Sequence, residues 1–289
     1  MHRFCPLRIV VLSALLCTGA GAQTYVDLNF SNNVQPALEM NPNNSTLGPY
    51  YTSALNLDFA GAGSYNGSSV DVRVSMIGLL DGETTNFRPT STYQWVGWIP
   101  DYNSANLSDD LGVYYRHDGN LAQPSGGVAW TMSFYEGGTN FTNPLILPGV
   151  RFLIYDHDGE PLQDESIRVF EDDGLTGYQL ALGSGIHSNQ NGGSWSFDAG
   201  GSGHSETGPE GGMILYYQNT SSIRFDMFGT TFPGLPAQNS GIFQAWDGNL
   251  NLLPGGNTNG FAPLVTVPEP STSVLAALAT LTLATRRRR

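Results

Sequence analysis

The chain has 289 residues, with 36 glycines, two cysteines, 25 acidic side chains and twelve basic ones, giving a formal net charge of −13. Every basic residue is an arginine. A balance this acidic argues against nucleic acid and anionic lipid headgroups as partners, and the length suits one large domain or two small ones.

The first 22 residues carry Arg3 and Arg8, then the apolar run Ile9 to Leu16, then the small-residue exit Gly19-Ala20-Gly21-Ala22. A basic start, a short apolar middle and an Ala-x-Ala exit are the three parts of a secretory signal peptide, cleaved here after Ala22 by signal peptidase. Leu16 occupies the place before Cys17 where a lipobox needs a small residue, so lipidation is not expected. Both cysteines, Cys5 and Cys17, lie in this segment. The exported body therefore has no disulfide and must be held by its core, by bound ions, or by both.

Residues 23–254 alternate apolar and polar positions in short runs, the period of a sheet with one buried face. Val70 to Met76, Trp130 to Phe134, Ser166 to Phe170 and Ile223 to Met227 are of this kind, while Val150 to Tyr155 and Met213 to Tyr217 are apolar enough for both faces to be buried. Asp81-Gly82, Asp118-Gly119, Asp158-Gly159, Asp173-Gly174 and Asn191-Gly192-Gly193 supply turns. No sustained 3.6-residue period appears. The expectation is an all-β protein built as a single β-sandwich or jelly-roll-like domain.

Three places in this body offer chemistry. Trp95, Trp98 and Tyr102, with Tyr114 and Tyr115, form an aromatic cluster that either stacks on sugar rings or fills a β core. The loop from Tyr155 to Glu165 places Asp156 and Asp158 two residues apart before Gly159, with Asp164 or Glu165 able to close a ring of oxygens. Calcium takes six to eight such ligands, although the spacing is not that of an EF-hand; the other reading is a solvated hairpin loop. Gly203-His204-Ser205-Glu206-Thr207 approaches a nucleophile elbow but has Thr207 where the last glycine belongs. The histidines His117, His157, His187 and His204 show no metal-ligand spacing and read as loop residues. No cofactor other than Ca2+ is expected.

Residues 255–266 read as an extended spacer. Pro268-Glu269-Pro270-Ser271 follows, then an uncharged stretch to Thr285, then Arg286, Arg287, Arg288 and Arg289. From Ser271 to Thr285 a helix would extend roughly 22 Å, short of a hydrocarbon core of roughly 30 Å, so snorkelling arginines and local thinning would be needed for it to span. Clustered arginine stays cytoplasmic and fixes the orientation with the body outside.

Pro268 to Ser271, the short apolar segment and the terminal arginines together resemble the PEP-CTERM sorting signal of Gram-negative bacteria. That resemblance implies recognition by an exosortase, transient anchorage in the inner membrane, removal of the tail, and delivery to the cell surface or extracellular matrix. Phe134 to Thr139, Leu147 to Val150, Tyr155 to Gly159 and Glu165-Ser166 resemble all-β domains of unknown function that often precede such tails. With both ends removed, six arginines face 24 carboxylates, about −18. The expected role is structural or adhesive rather than catalytic. A carbohydrate-binding module acting on extracellular polysaccharide is the alternative, and a secreted hydrolase a distant third.

Overall fold

The computed structural model describes residues 24–31, 56–81, 87–88, 95–104, 107–116, 125–159, 163–199, 209–231 and 241–268. The predicted signal peptide and the sorting tail from Glu269 onward lie outside the described residues, as does the segment around Ser205.

The strands are β1 (Asn56–Tyr65), β2 (Ser68–Asp81), β3 (Phe87–Arg88), β4 (Trp95–Ser104), β5 (Leu107–Arg116), β6 (Ser125–Glu136), β7 (Leu147–Tyr155) and β8 (Gln163–Phe170). They continue with β9 (Leu175–Leu180), β10 (His187–Asn191), β11 (Ser194–Asp198), β12 (Met213–Thr220), β13 (Ser222–Thr231), β14 (Gly241–Asp247) and β15 (Val265–Thr266). One sheet runs β1-β2-β6-β13-β8-β11-β10 with β3 beside β2, and the other runs β15-β9-β12-β7-β14-β5-β4. Among the described residues every strand pairing is antiparallel. The expected all-β, two-sheet sandwich is what the chain forms.

The period-2 pattern does the work of facing the sheets toward each other. Along β8, buried positions alternate with more exposed ones from Gln163 to Phe170. Val70, Val72 and Val74 of β2, Met132 and Phe134 of β6, and Phe225 and Met227 of β13 point inward from the first sheet. Phe152 and Ile154 of β7, Leu215 and Tyr217 of β12, and Trp246 of β14 meet them from the second. Phe225 and Trp246 touch across the gap, ring centres 4.3 Å apart, and Trp246 in turn meets Phe152 edge-on at 5.5 Å. Each such side chain contributes about 1.5–3 kcal/mol by leaving water.

β7 and β12 are buried on both faces, as their composition predicts. Leu153, Tyr155 and Ile214 on the outer face are covered by Leu250, Leu253 and Phe261 from the C-terminal stretch, forming a second cluster. The outer face of the first sheet is instead laced by cross-strand ion pairs. Arg73 grips Asp58 through Nε at 2.6 Å and Nη2 at 2.8 Å, in direct β1–β2 register. Arg168 does the same to Asp226 across β8 and β13, at 2.9 and 2.5 Å, and Arg224 reaches Asp173 and Asp172.

Turn chemistry matches the sequence where it can be followed. Asn191 and Ser194 pair across Gly192-Gly193, whose φ angles of 56° and 92° suit a two-residue hairpin. Gly174 ends the 3₁₀ turn Glu171–Asp173 at φ 88°, where an added Cβ would lie 2.2 Å from the Gln218 carbonyl oxygen. Only glycine fits there.

Residues 24–31 form a strap that binds both sheets. Val26, Leu28 and Phe30 are buried in alternation. Val26 N–H donates to Gly149 O, Leu28 N–H to Gly248 O, Asn29 N–H to Ala62 O and Phe30 N–H to Asp109 O, so the strap is stitched to both sheets.

The expected spacer at residues 255–266 is corrected. Phe261 bridges to Ala181 and packs in the second cluster. Ala262 N–H donates to Leu180 O, and β15 then pairs with β9, Val265 opposite Tyr178 and Thr266 opposite Gly177. Val267 is 4 % exposed in the main core and its N–H donates to Thr176 O at 2.8 Å. Polar composition suggested a free linker because the pairing runs through the backbone.

Candidate functional site

Two kinds of site can be built from these elements: the junction where the sheet hands over to the tail, and the concave or polar places on the body. The junction comes first. β15 and the buried Val267 fix the chain to β9, and Pro268, exposed, is the last described residue. Of the motif Pro268, Glu269, Pro270 and Ser271, only the first position is therefore within the described residues, and it abuts the folded sheet directly. Arg286 to Arg289 lie outside them. Among the described residues no helix is long and apolar enough to cross a membrane.

The four candidate calcium ligands do not converge. Asp164 and Glu165 are neighbours on β8, and the pleat sends Asp164 to the exposed face and Glu165 to the buried one. Asp156 is buried with φ 55°, and Asp158 is half-buried. Asp164 lies near Asp198, and burial, with Asp198's charge, raises its pKa. Among the described residues no group of three or more Asp, Glu, His or Cys is placed to hold a metal ion.

His157, read as a loop residue, is fully buried. Gln244 Nε2 stands 2.8 Å from its Nδ1, and its Nε2 stands 3.0 Å from Phe197 O. Burial pushes its pKa down to about 4. The imidazole is therefore neutral, with Nε2 carrying the proton toward Phe197 O and Nδ1 accepting from Gln244. Its sequence signal was ambiguous because His157 sits between two aspartates in an otherwise polar loop.

Trp95, Trp98 and Tyr102 lie on β4, the edge strand of the second sheet, opposite Arg116, Val113 and Asp110 of β5.

A cavity of about 500 Å³ opens on the outer face of the same sheet, where the C-terminal stretch docks. Ala181, Leu253 and Phe261 line its apolar part; Glu210, Asn257 and Asn259 supply polar groups. No local spacing reveals it, because its two walls come from segments about seventy residues apart, joined by the Ala181–Phe261 bridge and by Leu182 N–H donating to Gly260 O.

This geometry defines a β-sandwich protein whose last strand leads straight into a C-terminal tail. Residues 266–289 match the PEP-CTERM protein-sorting motif; the match covers the tail alone. It marks the chain as an exosortase-sorted protein, exported to the surface or exterior of a Gram-negative cell. Two solved structures show weak structural similarity to it. The N-terminal domain of the Streptococcus gordonii adhesin Sgo0707 aligns at 15% identity and TM-score 0.45, over 66% of this chain and 47% of that one. Glucan-binding protein C of Streptococcus mutans aligns at 11% identity and TM-score 0.36, over 74% of this chain and 62% of that one. The chain thus spans about half to three-fifths of those structures. No curated protein matches it.

Proposed function

We propose that this is a non-catalytic structural or adhesive protein of the cell surface or extracellular matrix, released from a transient inner-membrane anchor by an exosortase. The single observation that carries the reading is the sorting motif at residues 266–289. The body suits such a role: its sandwich runs up to Val267, and among the described residues Arg73, Arg151, Arg168 and Arg224 are all engaged in ion pairs, leaving an acidic exterior. Fractionation of cells with an antibody against the body tests it. The parent should appear at the surface or in the medium without its tail, and should accumulate with the tail, in the inner membrane, when the exosortase is deleted. An unchanged size and distribution in the deletion strain would refute the route.

The second reading is a carbohydrate-binding module, favoured by the cavity beside Phe261 with its apolar floor and amide rim. A glycan array with Trp95→Ala, Trp98→Ala and Asn257→Ala variants separates it from the first. Absence of glycan binding by the parent removes it.

A further inference from the structure

Where the N-terminal strap crosses the sandwich, three stretches distant in sequence meet: Asn29, Asp109 on β5, and the turn Asp247-Gly248-Asn249-Leu250-Asn251 that leaves β14. Trp246 pairs with Leu111, which brings Asp247 alongside the start of β5. Asp109 Oδ2 accepts from Asn251 Nδ2 at 2.6 Å, Asn249 Nδ2 at 2.8 Å and Asn29 Nδ2 at 3.4 Å. Asp247 Oδ1 accepts the N–H groups of Asn249 at 2.8 Å and Leu250 at 2.9 Å, and its Oδ2 that of Leu252 at 3.2 Å.

Hydrogen bonds alone do not complete this arrangement. Asp109 is 8 % exposed, and its Oδ1 is buried with no hydrogen-bond partner among the described residues. Asp247 is fully buried. No ion pair among the described residues involves either carboxylate. Burial first, and then the charge of Asp109, push the Asp247 carboxyl above its usual range, against the three N–H groups it accepts. A buried anion whose oxygen faces nothing is costly, and two together more so, unless a cation sits between them.

The surroundings say which cation. The side chains are all oxygen-bearing: two carboxylates and three amides, whose nitrogens now turn to Asp109 while Asn29 Oδ1 accepts from Ser31 and Asn249 Oδ1 from the Asn251 N–H, so the amides must rotate for their oxygens to reach an ion. There is no thiol or imidazole among them, as a hard cation prefers. Asn29 and Asn251 are solvent-exposed, while the two carboxylates they lie beside are buried. Asp247, Asn249 and Asn251 also repeat the alternate-residue spacing with which calcium loops begin, although Leu252 stands where such loops place glycine.

We propose that Asp109 and Asp247, with Asn29, Asn249 and Asn251, bind one calcium ion that fastens the N-terminal strap to β5 and to the turn after β14. The site is separate from the loop at Asp156 to Glu165. It gives a disulfide-free exported chain an ion that is abundant outside the cell and scarce within it.

The test is a calcium titration of the chelator-stripped full chain, followed by calorimetry and thermal unfolding, alongside Asp109→Asn, Asn251→Ala and Asp158→Asn. The parent should bind one calcium per chain and gain several degrees in Tm. Asp109→Asn should lose that gain, yet melt no lower than the parent in chelator, because the orphaned charge is gone while the amides keep an acceptor. Asn251→Ala, altered at an exposed position that does not threaten folding, should weaken binding about tenfold. Asp158→Asn should respond as the parent does. A parent whose Tm ignores calcium, a gain that survives both Asp109→Asn and Asn251→Ala, or a gain lost in Asp158→Asn would each overturn the site.

Discussion

Gln244 donates its side-chain N–H to Nδ1 of His157 in the interior, at 2.8 Å, and thereby holds a histidine in its neutral form where no water reaches it. Protonation would turn the acceptor Nδ1 into a donor and set it against the Gln244 amide. Glu165 Oε2, 4.0 Å from Nδ1, is too far for a hydrogen bond that would compensate.

The sign of the resulting pH dependence follows. The folded pKa, about 4, lies below the unfolded value of 6.5. The stability this histidine contributes is full above pH 6.5 and is lost as pH falls toward 4, by up to about 3 kcal/mol. Asp173, Asp226 and Asp247, whose pKa values are raised by burial, act with the opposite sign. Comparing Tm from pH 7.5 to 4 for the parent and His157→Gln isolates the histidine: the variant should start lower and slope less steeply. Parallel curves would reject the buried neutral imidazole.

Tyr217→Phe should stabilise the protein. The hydroxyl of Tyr217 is buried without a hydrogen-bond partner among the described residues, and its ring packs edge-on against Phe152 at 6.4 Å. Deleting an unsatisfied polar atom while keeping the ring removes a desolvation cost of about 1 kcal/mol, so Tm should rise about 2–4 °C. A fall would show that the hydroxyl has a partner after all.

Gly174→Ala should cost at least about 2 kcal/mol in denaturant unfolding. It combines a left-handed backbone with a Cβ driven against the Gln218 carbonyl. Gly192→Ala, also at positive φ but with open space around its Cβ, should cost less. Equal losses would mean that the contact with Gln218 is immaterial.

Two truncations distinguish a docked last strand from a spacer. Ending the chain after Pro268 should leave Tm unchanged, whereas ending it before Val265 should lower stability by about 2 kcal/mol, since it empties the buried place of Val267 and bares the edge of β9. Indistinguishable melts would restore the spacer.

How much of this was legible depends on what holds each element. β2, β6, β7, β12 and β13 announce themselves because their inward side chains are apolar. β8 was seen only from Ser166, since its first inward positions are Gln163 and Glu165, polar residues where the pattern demands apolar ones. β10, His-Ser-Asn-Gln-Asn, buries nothing on either face, so no periodicity could reveal it. The acidic loop looked like one concavity in one dimension, but the alternation that makes β8 a strand parts Asp164 from Glu165. Asp109 draws its amide partners from 80 and 140 residues away, beyond any local spacing.

The strap at residues 24–31 also sets the order in which the molecule can be assembled. It emerges early in synthesis, yet the partners it needs come late: Gly149 for Val26, Gly248 for Leu28, and Asn249, whose side chain reaches the Leu28 carbonyl 221 residues back. Closure of such long loops is slow. The strap can therefore be engaged in stages, Asn29 by Ala62 and Phe30 by Asp109 first, but it is fully locked only when the turn after β14 has been delivered.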